Sequence, residues 1–269
     1  MSYEDIRFEI EHGVAVITLH RPEHMNTFSG TMGQELGRAY RECDENDEVR
    51  AVILTGAGRA FCAGADMSGG ESTFEKQNAS SFSAAGVDPP AWEVRKPVIA
   101  ALNGHAVGLG LTLALQCDIR ILAREGKYGV LQVRRGVMPD AYAHWTLPRL
   151  VGLARAAEIL LSGRRFSGEE AFELGLASRV LPAEEVLPAA LELARDIAEN
   201  AAPLSVAVTK KLLWESSGLS AAEVGRRETE LHHHLMGRAD AVEGAVAYVE
   251  RRKPRWTLSV SRDWPDWPR

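Results

Sequence analysis

The chain has 269 residues, 45% of them apolar and 25% charged, a composition that excludes disorder, a collagen-like repeat and a disulfide scaffold. Its length is ample for burying a core without staples. Net charge is −6, from 31 basic and 37 acidic side chains, so no general attraction to nucleic acid is expected, while a local basic site for a phosphate-bearing small molecule stays open.

The N-terminal stretch MSYEDIRFEIEHG has neither the basic start nor the apolar core of a secretory signal. Ile6 to Ile10 and Val14 to Leu19 alternate or run apolar around Glu11-His12-Gly13, which predicts a β-hairpin. Ser29 precedes a helical stretch to about Glu45, and Ala51 to Thr55 reads as a buried strand ending at Gly56. Residues 68–92 are rich in Ser, Gly and Ala and end in Asp-Pro-Pro, the composition of a mobile surface loop or irregular helix, a candidate lid. Val98 to Leu102 is a second buried strand, Gly108 to Gln116 a buried helix, and Ile119 to Ala123 a third strand.

Pro97 to Cys117 holds 21 residues without a charge, enough to span a bilayer. It also contains Asn103, His105, Gln116 and three glycines. A buried strand–turn–helix accounts for it better, and the protein reads as soluble with no membrane partner. From Ala141 the pattern is almost wholly helical, over 141–150, 153–161, 168–174, 184–200, 203–215, 220–236 and 239–252. The change near residue 200 divides the chain into a mixed α/β core, 1–200, and a helical region, 201–269. The tail from Trp256, with three tryptophans and two prolines, is expected to pack on another surface. Cys43, Cys62 and Cys117 form no CxxC pair, which suits a reducing cytoplasm.

Several familiar chemistries are missing. There is no GxxxxGK[ST], no HExxH and no GxSxG, and Leu113 stands where a dinucleotide fingerprint starting at Gly108 needs its third glycine. His232-His233-His234 lie in a helical stretch, where successive side chains point about 100° apart and cannot converge on one metal. Two glycine-rich turns remain, each directly after a buried strand: Thr55 to Asp66, and Asn103 to Thr112. Singly, each is an ordinary sharp turn. Together they can expose backbone N–H groups, the second at a helix N-terminus. Two converging donors of that kind are what a thioester carbonyl needs as it becomes an enolate.

The segments RAFCAGADM (59–67), ALNGHAVGLGLTLALQCDI (101–119) and RGVMPD (135–140) closely resemble the crotonase superfamily of enoyl-CoA hydratases and isomerases, as do RPEHMN (21–26), SGRRFSGEEAFELGL (162–176) and YVERRKP (248–254). The resemblance covers nearly the whole chain and is strongest to actinobacterial members. It implies an α/β fold, a spiral of ββα units followed by a C-terminal helical region used in trimer contacts, often as a dimer of trimers. It implies a coenzyme A thioester as substrate, with no metal and no redox cofactor. Carried over by position, the oxyanion donors are the N–H groups of Ala65 and Leu109, the latter standing where the family usually has glycine. Ala63, Gly64, Asp66 and Met67 fall at the adenine pocket, and Arg251 where members offer a basic group to the phosphates. Ser68 replaces a frequent lysine, leaving Arg21 or Arg59 as substitutes.

The acids depart from the family. Hydratases place two glutamates around one water, at positions matching Thr112 and Gln132; neither residue is a useful base near neutral pH. Asp140 instead occupies a site that is acidic in several isomerases and in a dehalogenase of the superfamily. A carboxylate in an apolar acyl pocket has its pKa raised toward the working range. The other reading of Asp140 is a cap on the helix that follows Pro139. Tyr142 and Trp145, three apart, share a helix face and are candidates for the acyl pocket. His144 is a candidate auxiliary acid and His105 a candidate substrate contact; both residues read more readily as structural. The expected activity is hydration or double-bond isomerisation of an enoyl-CoA through Asp140. The alternatives are a weakly or non-catalytic acyl-CoA-binding protein, and a thioester hydrolase or carbon–carbon lyase.

Overall fold

A computed structural model describes residues 3–71 and 83–268. Strands β1 (Ile6–Glu11) and β2 (Val14–Leu19) pair antiparallel around His12-Gly13, where φ is 50° and 79°. Ser29 caps α1 (Gly30–Glu45), its side chain accepting from Met32 N at 3.0 Å, an interaction worth about 1 kcal/mol. The apolar runs that follow become β3 (Ala51–Gly56), β5 (Val98–Leu102) and β7 (Ile119–Ala123), parallel to β2 and to one another.

Both faces of this sheet are covered, which is why its strands read as unbroken apolar runs. Val52, Leu54, Ala100 and Leu102 face α1 and the main core. Ala51, Ile53, Ile99, Ala101 and Ile121 face α5 (Ala183–Asn200), whose Ala190, Ala194 and Ala198 let the helix sit close to the strands.

Between the strands of the large sheet the chain steps into a second, three-stranded parallel sheet of β4 (Ala60–Cys62), β6 (His105–Val107) and β8 (Tyr128–Gly129). The alternation produces the spiral expected from the sequence. β4 and β6 lie inside segments that read as pure turns, because three residues of mostly small side chains carry no periodicity. β9 (Arg179–Leu181) interrupts the stretch expected to be wholly helical and closes the large sheet beside β7.

Helix α2 (Leu109–Ala114) is shorter than its apolar run. The two helices expected over 141–161 are present, run together as α3 (Ala143–Ser162) and separated by Gly152, whose φ of 78° and ψ of 162° are not helical. It starts two residues late because Ala141 and Tyr142 have left-handed φ, 45° and 61°. Then come α4 (Gly168–Glu173), α6 (Pro203–Ser216), α7 (Ala221–Leu235) and α8 (Ala239–Glu250). Leu204, Val208, Leu212 and Leu231 form a separate cluster with Leu258, Trp264 and Trp267, so the tail packs back on α6 and α7. The expected lid falls partly on 72–82, outside the described residues. Among the described residues no helix is long and apolar enough to cross a membrane.

One buried ion pair joins the helical region to the core. Lys210 Nζ meets Asp118 Oδ2 at 2.7 Å and donates to Ala91 O and Lys96 O at 2.9 Å each. Asp118 also accepts from Val98 N (2.7 Å) and Trp214 Nε1 (2.6 Å). Asp118→Ala strands the Lys210 ammonium and orphans both other donors, at an expected cost of about 3–5 kcal/mol. Urea denaturation followed by tryptophan fluorescence measures it. The double variant Asp118→Ala, Lys210→Met recovers part of the loss; no recovery would show that the charge is not what makes the single change costly.

Candidate active site

The two glycine-rich turns meet. Asn26 holds the first from below, donating from Nδ2 to Ala57 O and Ala60 O, both at 2.8 Å. Past β4, Phe28 pairs with the turn as a parallel bridge: Phe28 N donates to Gly64 O (2.8 Å) and Asp66 N to Phe28 O (3.2 Å). In such a bridge the intervening residue points its own groups the other way. The N–H of Ala65 accordingly finds no acceptor among the described residues. In the second turn Gly108 N donates to Gly129 O at 2.8 Å. Leu109 then opens α2 with its N–H likewise unpaired, as expected at a helix start.

Each free donor follows a glycine with positive φ, +97° at Gly64 and +54° at Gly108, a conformation that L side chains rarely adopt. The turns also touch: a Cβ on Gly64 would lie 3.0 Å from Val107 O, and one on Gly110 only 2.1 Å from Cys62 O. Glycine at both positions is therefore a condition of the donors facing one cavity. That cavity, about 180 Å³, is lined by Ala63, Gly64, Ala65, Met67, Gly108, Leu109, Gln132 and Asp140, with Arg135 and Arg165 also on its wall.

Asp140 is the only acid among the residues lining it. Its Oδ1 accepts from Gln132 Nε2 at 2.9 Å and lies 3.4 Å from the Thr112 hydroxyl. Tyr142 occupies the N-cap position of α3, and no side chain caps that helix. The capping reading of Asp140 therefore fails: its backbone carbonyl accepts from Ala143 N, while its carboxylate is turned to the cavity. The left-handed pair at 141–142 makes that turn. It is held by Ala141 N to Ala84 O (2.8 Å) and Gln116 Nε2 to Ala141 O (3.1 Å).

A polypeptide with this fold and cavity invites comparison with known proteins. The family description "Enoyl-CoA hydratase/isomerase" matches residues 9–259. The chain belongs to that family. A crystal structure of a probable enoyl-CoA hydratase/isomerase from Mycobacterium abscessus superposes with a TM-score of 0.91 at 56% identity, covering 94% of this chain and 98% of that one. A probable enoyl-CoA hydratase of Mycobacterium tuberculosis is 34% identical over 258 residues, 96% of this chain and 99% of the relative. The 1,2-epoxyphenylacetyl-CoA isomerase of Escherichia coli is 35% identical over 266 residues, 94% of this chain and 98% of the relative. The protein is thus an acyl-CoA enzyme of the hydratase/isomerase type.

Within this hydratase/isomerase the expected site residues separate into groups. Ala63, Gly64, Ala65, Met67, Leu109, Gln132 and Asp140 converge on the cavity. Thr112 is fully buried behind it, bonded to Leu109 O at 3.1 Å, and supports rather than lines it. Asp66 faces away, taking Arg21 Nη2 at 3.0 Å and Ser68 N at 3.0 Å; these bonds hold its carboxyl down at about 2. Arg21 also donates to Thr27 O (2.7 Å), so it is committed and not available as the phosphate ligand offered above.

Tyr142 and Trp145 do share a surface, but the wrong one for an acyl pocket. Tyr142 meets Trp92 edge-on at 4.7 Å, Trp145 meets it tilted at 4.9 Å and stacks on Trp214 at 5.5 Å, so they face α6 rather than the cavity. Arg251 is exposed at the end of α8 and is not part of this cavity in its own chain. His105 Nδ1 accepts from Lys127 N at 3.0 Å, a structural bond within the small sheet, and His144 is exposed on α3. Sequence reading missed Arg135 and Arg165. The first sits inside the RGVMPD motif, and the second is brought over by the Tyr128–Phe166 bridge.

Burial raises the pKa of Asp140, while hydrogen bonds from Gln132, its own N–H and Thr112 pull the other way; the net shift is upward. The native state therefore keeps this proton to higher pH than the unfolded chain. Stability is lost as pH rises from the ordinary carboxylate value through the folded one, and the cost is fully present at neutral pH. Asp140→Asn is expected to be at least as stable as the wild type at pH 7, with its advantage shrinking as pH falls through the raised folded value toward the ordinary carboxylate value. Thermal melts across pH 3–8 test this. A variant clearly less stable at neutral pH would make the carboxylate a structural anchor.

Proposed function

We propose that the cavity binds the thioester end of an enoyl-CoA, with the thioester oxygen on the N–H groups of Ala65 and Leu109 and Asp140 as the group that moves protons. The reading rests on one observation: a partly buried carboxylate with a raised pKa shares a small cavity with two unpaired backbone donors. As a proton leaves the carbon beside the thioester, negative charge gathers on the carbonyl oxygen. Donors already in place stabilise it without reorganisation. Asp140 takes that proton as a carboxylate and returns it to the γ-carbon, which moves the double bond. In hydration the same carboxylate takes a proton from water as its oxygen bonds to the β-carbon, and gives it back at the α-carbon. One base serves either course, so the loss of both family glutamates at 112 and 132 does not remove acid–base chemistry.

Arg135 and Arg165 make no ion pair among the described residues and supply positive charge on the cavity wall for the phosphates of the CoA moiety. The reading extends to a cytoplasmic enzyme of fatty-acid metabolism. Three buried free thiols support the compartment. Exposed Val242, Val246 and Val249 along α8 support assembly as a homotrimer or dimer of trimers.

Product analysis by mass spectrometry in heavy water, with 2-enoyl-CoA and 3-enoyl-CoA supplied separately, tests the proposal. Hydrated product or a shifted double bond carrying deuterium is expected, and Asp140→Asn is expected to lower the rate about 10²–10⁴-fold. The base must be ionised, so the wild-type rate should rise with pH along a limb displaced above the ordinary carboxylate range, and the residual rate of the variant should lack that limb. Binding without deuterium uptake would replace the enzyme with an acyl-CoA-binding protein.

A further inference from the structure

A second cavity, of about 850 Å³, shares no lining residue with the one that holds Asp140. It lies between residues 92–95, α3, α6 and the C-terminal tail, and its size suits a small organic ligand. Five of the chain's six tryptophans line it: Trp92, Trp145, Trp214, Trp264 and Trp267. None of the five is fully buried. Trp145 stacks on Trp214 with ring centroids 5.5 Å apart and planes at 15°, and Trp264 on Trp267 at 5.6 Å and 11°. The tail pair stands beyond residue 259, where the family match ends, so the family does not account for that wall. Trp267 Nε1 donating to Glu215 Oε2 (2.8 Å) and Arg95 Nη1 donating to Val260 O (3.2 Å) hold the tail in place. No residue of α8, the helix assigned above to assembly, lines this cavity.

Tryptophans gathered in this way can cage a cation, but here the protein's own cations take that place. Arg149, Arg95 and Lys211 lie over Trp145, Trp264 and Trp267, at 4.1, 5.4 and 5.0 Å from the ring centroids. Two of the basic groups on the wall are neutralised from behind, Arg95 by Asp44 and Lys210 by Asp118, each at 2.7 Å. Glu215 alone answers both Lys211 (2.8 Å) and Arg227 (2.7 Å), and the other acid on the wall, Glu93, is exposed to solvent. Arg149 makes no ion pair among the described residues; it donates to Ser217 Oγ (2.8 Å) and Trp145 O (2.9 Å), which leaves its Nη2 unused. The Nε–H of Arg227 is buried and has no partner among the described residues. A buried donor in that state is costly, and an anion supplies the missing acceptor. We propose that this cavity is a second ligand site, taking a small planar aromatic carboxylate whose ring packs among the tryptophans and whose carboxylate accepts from Arg149 and from Arg227 Nε. Hydrogen bonds from a guanidinium to a carboxylate are about twice as strong as neutral ones, and a flat ring gains offset or edge contacts with indoles that a saturated ring does not.

Isothermal titration of the whole protein with 2-naphthoate tests it, with cyclohexanecarboxylate as the saturated comparison and benzyltrimethylammonium as the cationic one. 2-Naphthoate is expected to bind about tenfold tighter or more than either. Arg149→Gln should weaken it about tenfold by removing one charge-assisted hydrogen bond, with an unchanged thermal melt as proof of an intact wall. Trp264→Leu should weaken it as well. Saturating butanoyl-CoA should leave the affinity for 2-naphthoate as it was, because the two cavities have no wall in common. Absence of binding, competition by butanoyl-CoA, equal binding of the saturated acid, tighter binding of the cation, or an affinity unaltered in Arg149→Gln each overturns the assignment. None of these results bears on the thioester reading, which is decided by its own products.

Discussion

Everything at the site depends on how closely two backbone segments pass one another. The first turn of α2 presses on the end of β4 so tightly that Gly110 has no room for a methyl group against Cys62 O. The turn before Ala65 approaches Val107 O almost as closely. Hydrogen bonding follows from this contact. Phe28 consumes the groups on either side of Ala65, and Gly129 takes the N–H of Gly108, so the two N–H groups left over are those lining the cavity. Because the donors belong to the backbone, their side chains are free to vary. A leucine at 109 leaves the donor in place.

The spiral supplies the scaffold for that approach. β3 and β5 lie side by side in the large sheet, and each passes directly into the small one, so the turns after them are necessarily neighbours. Side chains from later in the chain complete the cavity. Gln132 arrives on a short 3-10 turn after β8, and Asp140 at the end of the same segment. The carboxylate is aimed inward by two successive non-glycine residues in the left-handed region, a conformation costing roughly 1–2 kcal/mol per residue. The N–H of Ala141 donating to Ala84 O and its carbonyl accepting from the Gln116 side chain hold it there.

Much of this was legible in the sequence, and the part that was not has a physical reason. Unbroken apolar runs identified β3, β5 and β7, since strands covered on both faces have no alternation to lose. The glycines of 55–66 and 103–112 marked the two turns, because glycine is required where φ is positive or backbones nearly touch. β4, β6 and β9 were invisible: three residues are fewer than any period needs. The direction of Asp140 was also hidden, since neither alanine nor tyrosine announces a left-handed conformation. Tyr142 and Trp145 show the limit of helical spacing. It places them together correctly, but the side of the protein they face is set by Trp92 and Trp214, distant in sequence. Arg21 fails differently, its charge being already spent on Asp66.

The acid of the cavity belongs to one polar cluster. Thr112, Gln132 and Asp140 meet around a single carboxylate oxygen. Two of them present donors to the third, so the cluster carries one negative charge where a pair of glutamates would carry two. Like charges at such spacing would force one acid to hold its proton. With a single acid, burial raises its hold on the proton further than the hydrogen bonds around it lower it, and the neighbouring amide and hydroxyl fix its direction. The two unpaired N–H groups on the same cavity, those of Ala65 and Leu109, belong to the backbone. The carboxylate cluster and the backbone donors can therefore change independently, since a side-chain substitution in the first leaves the second in place.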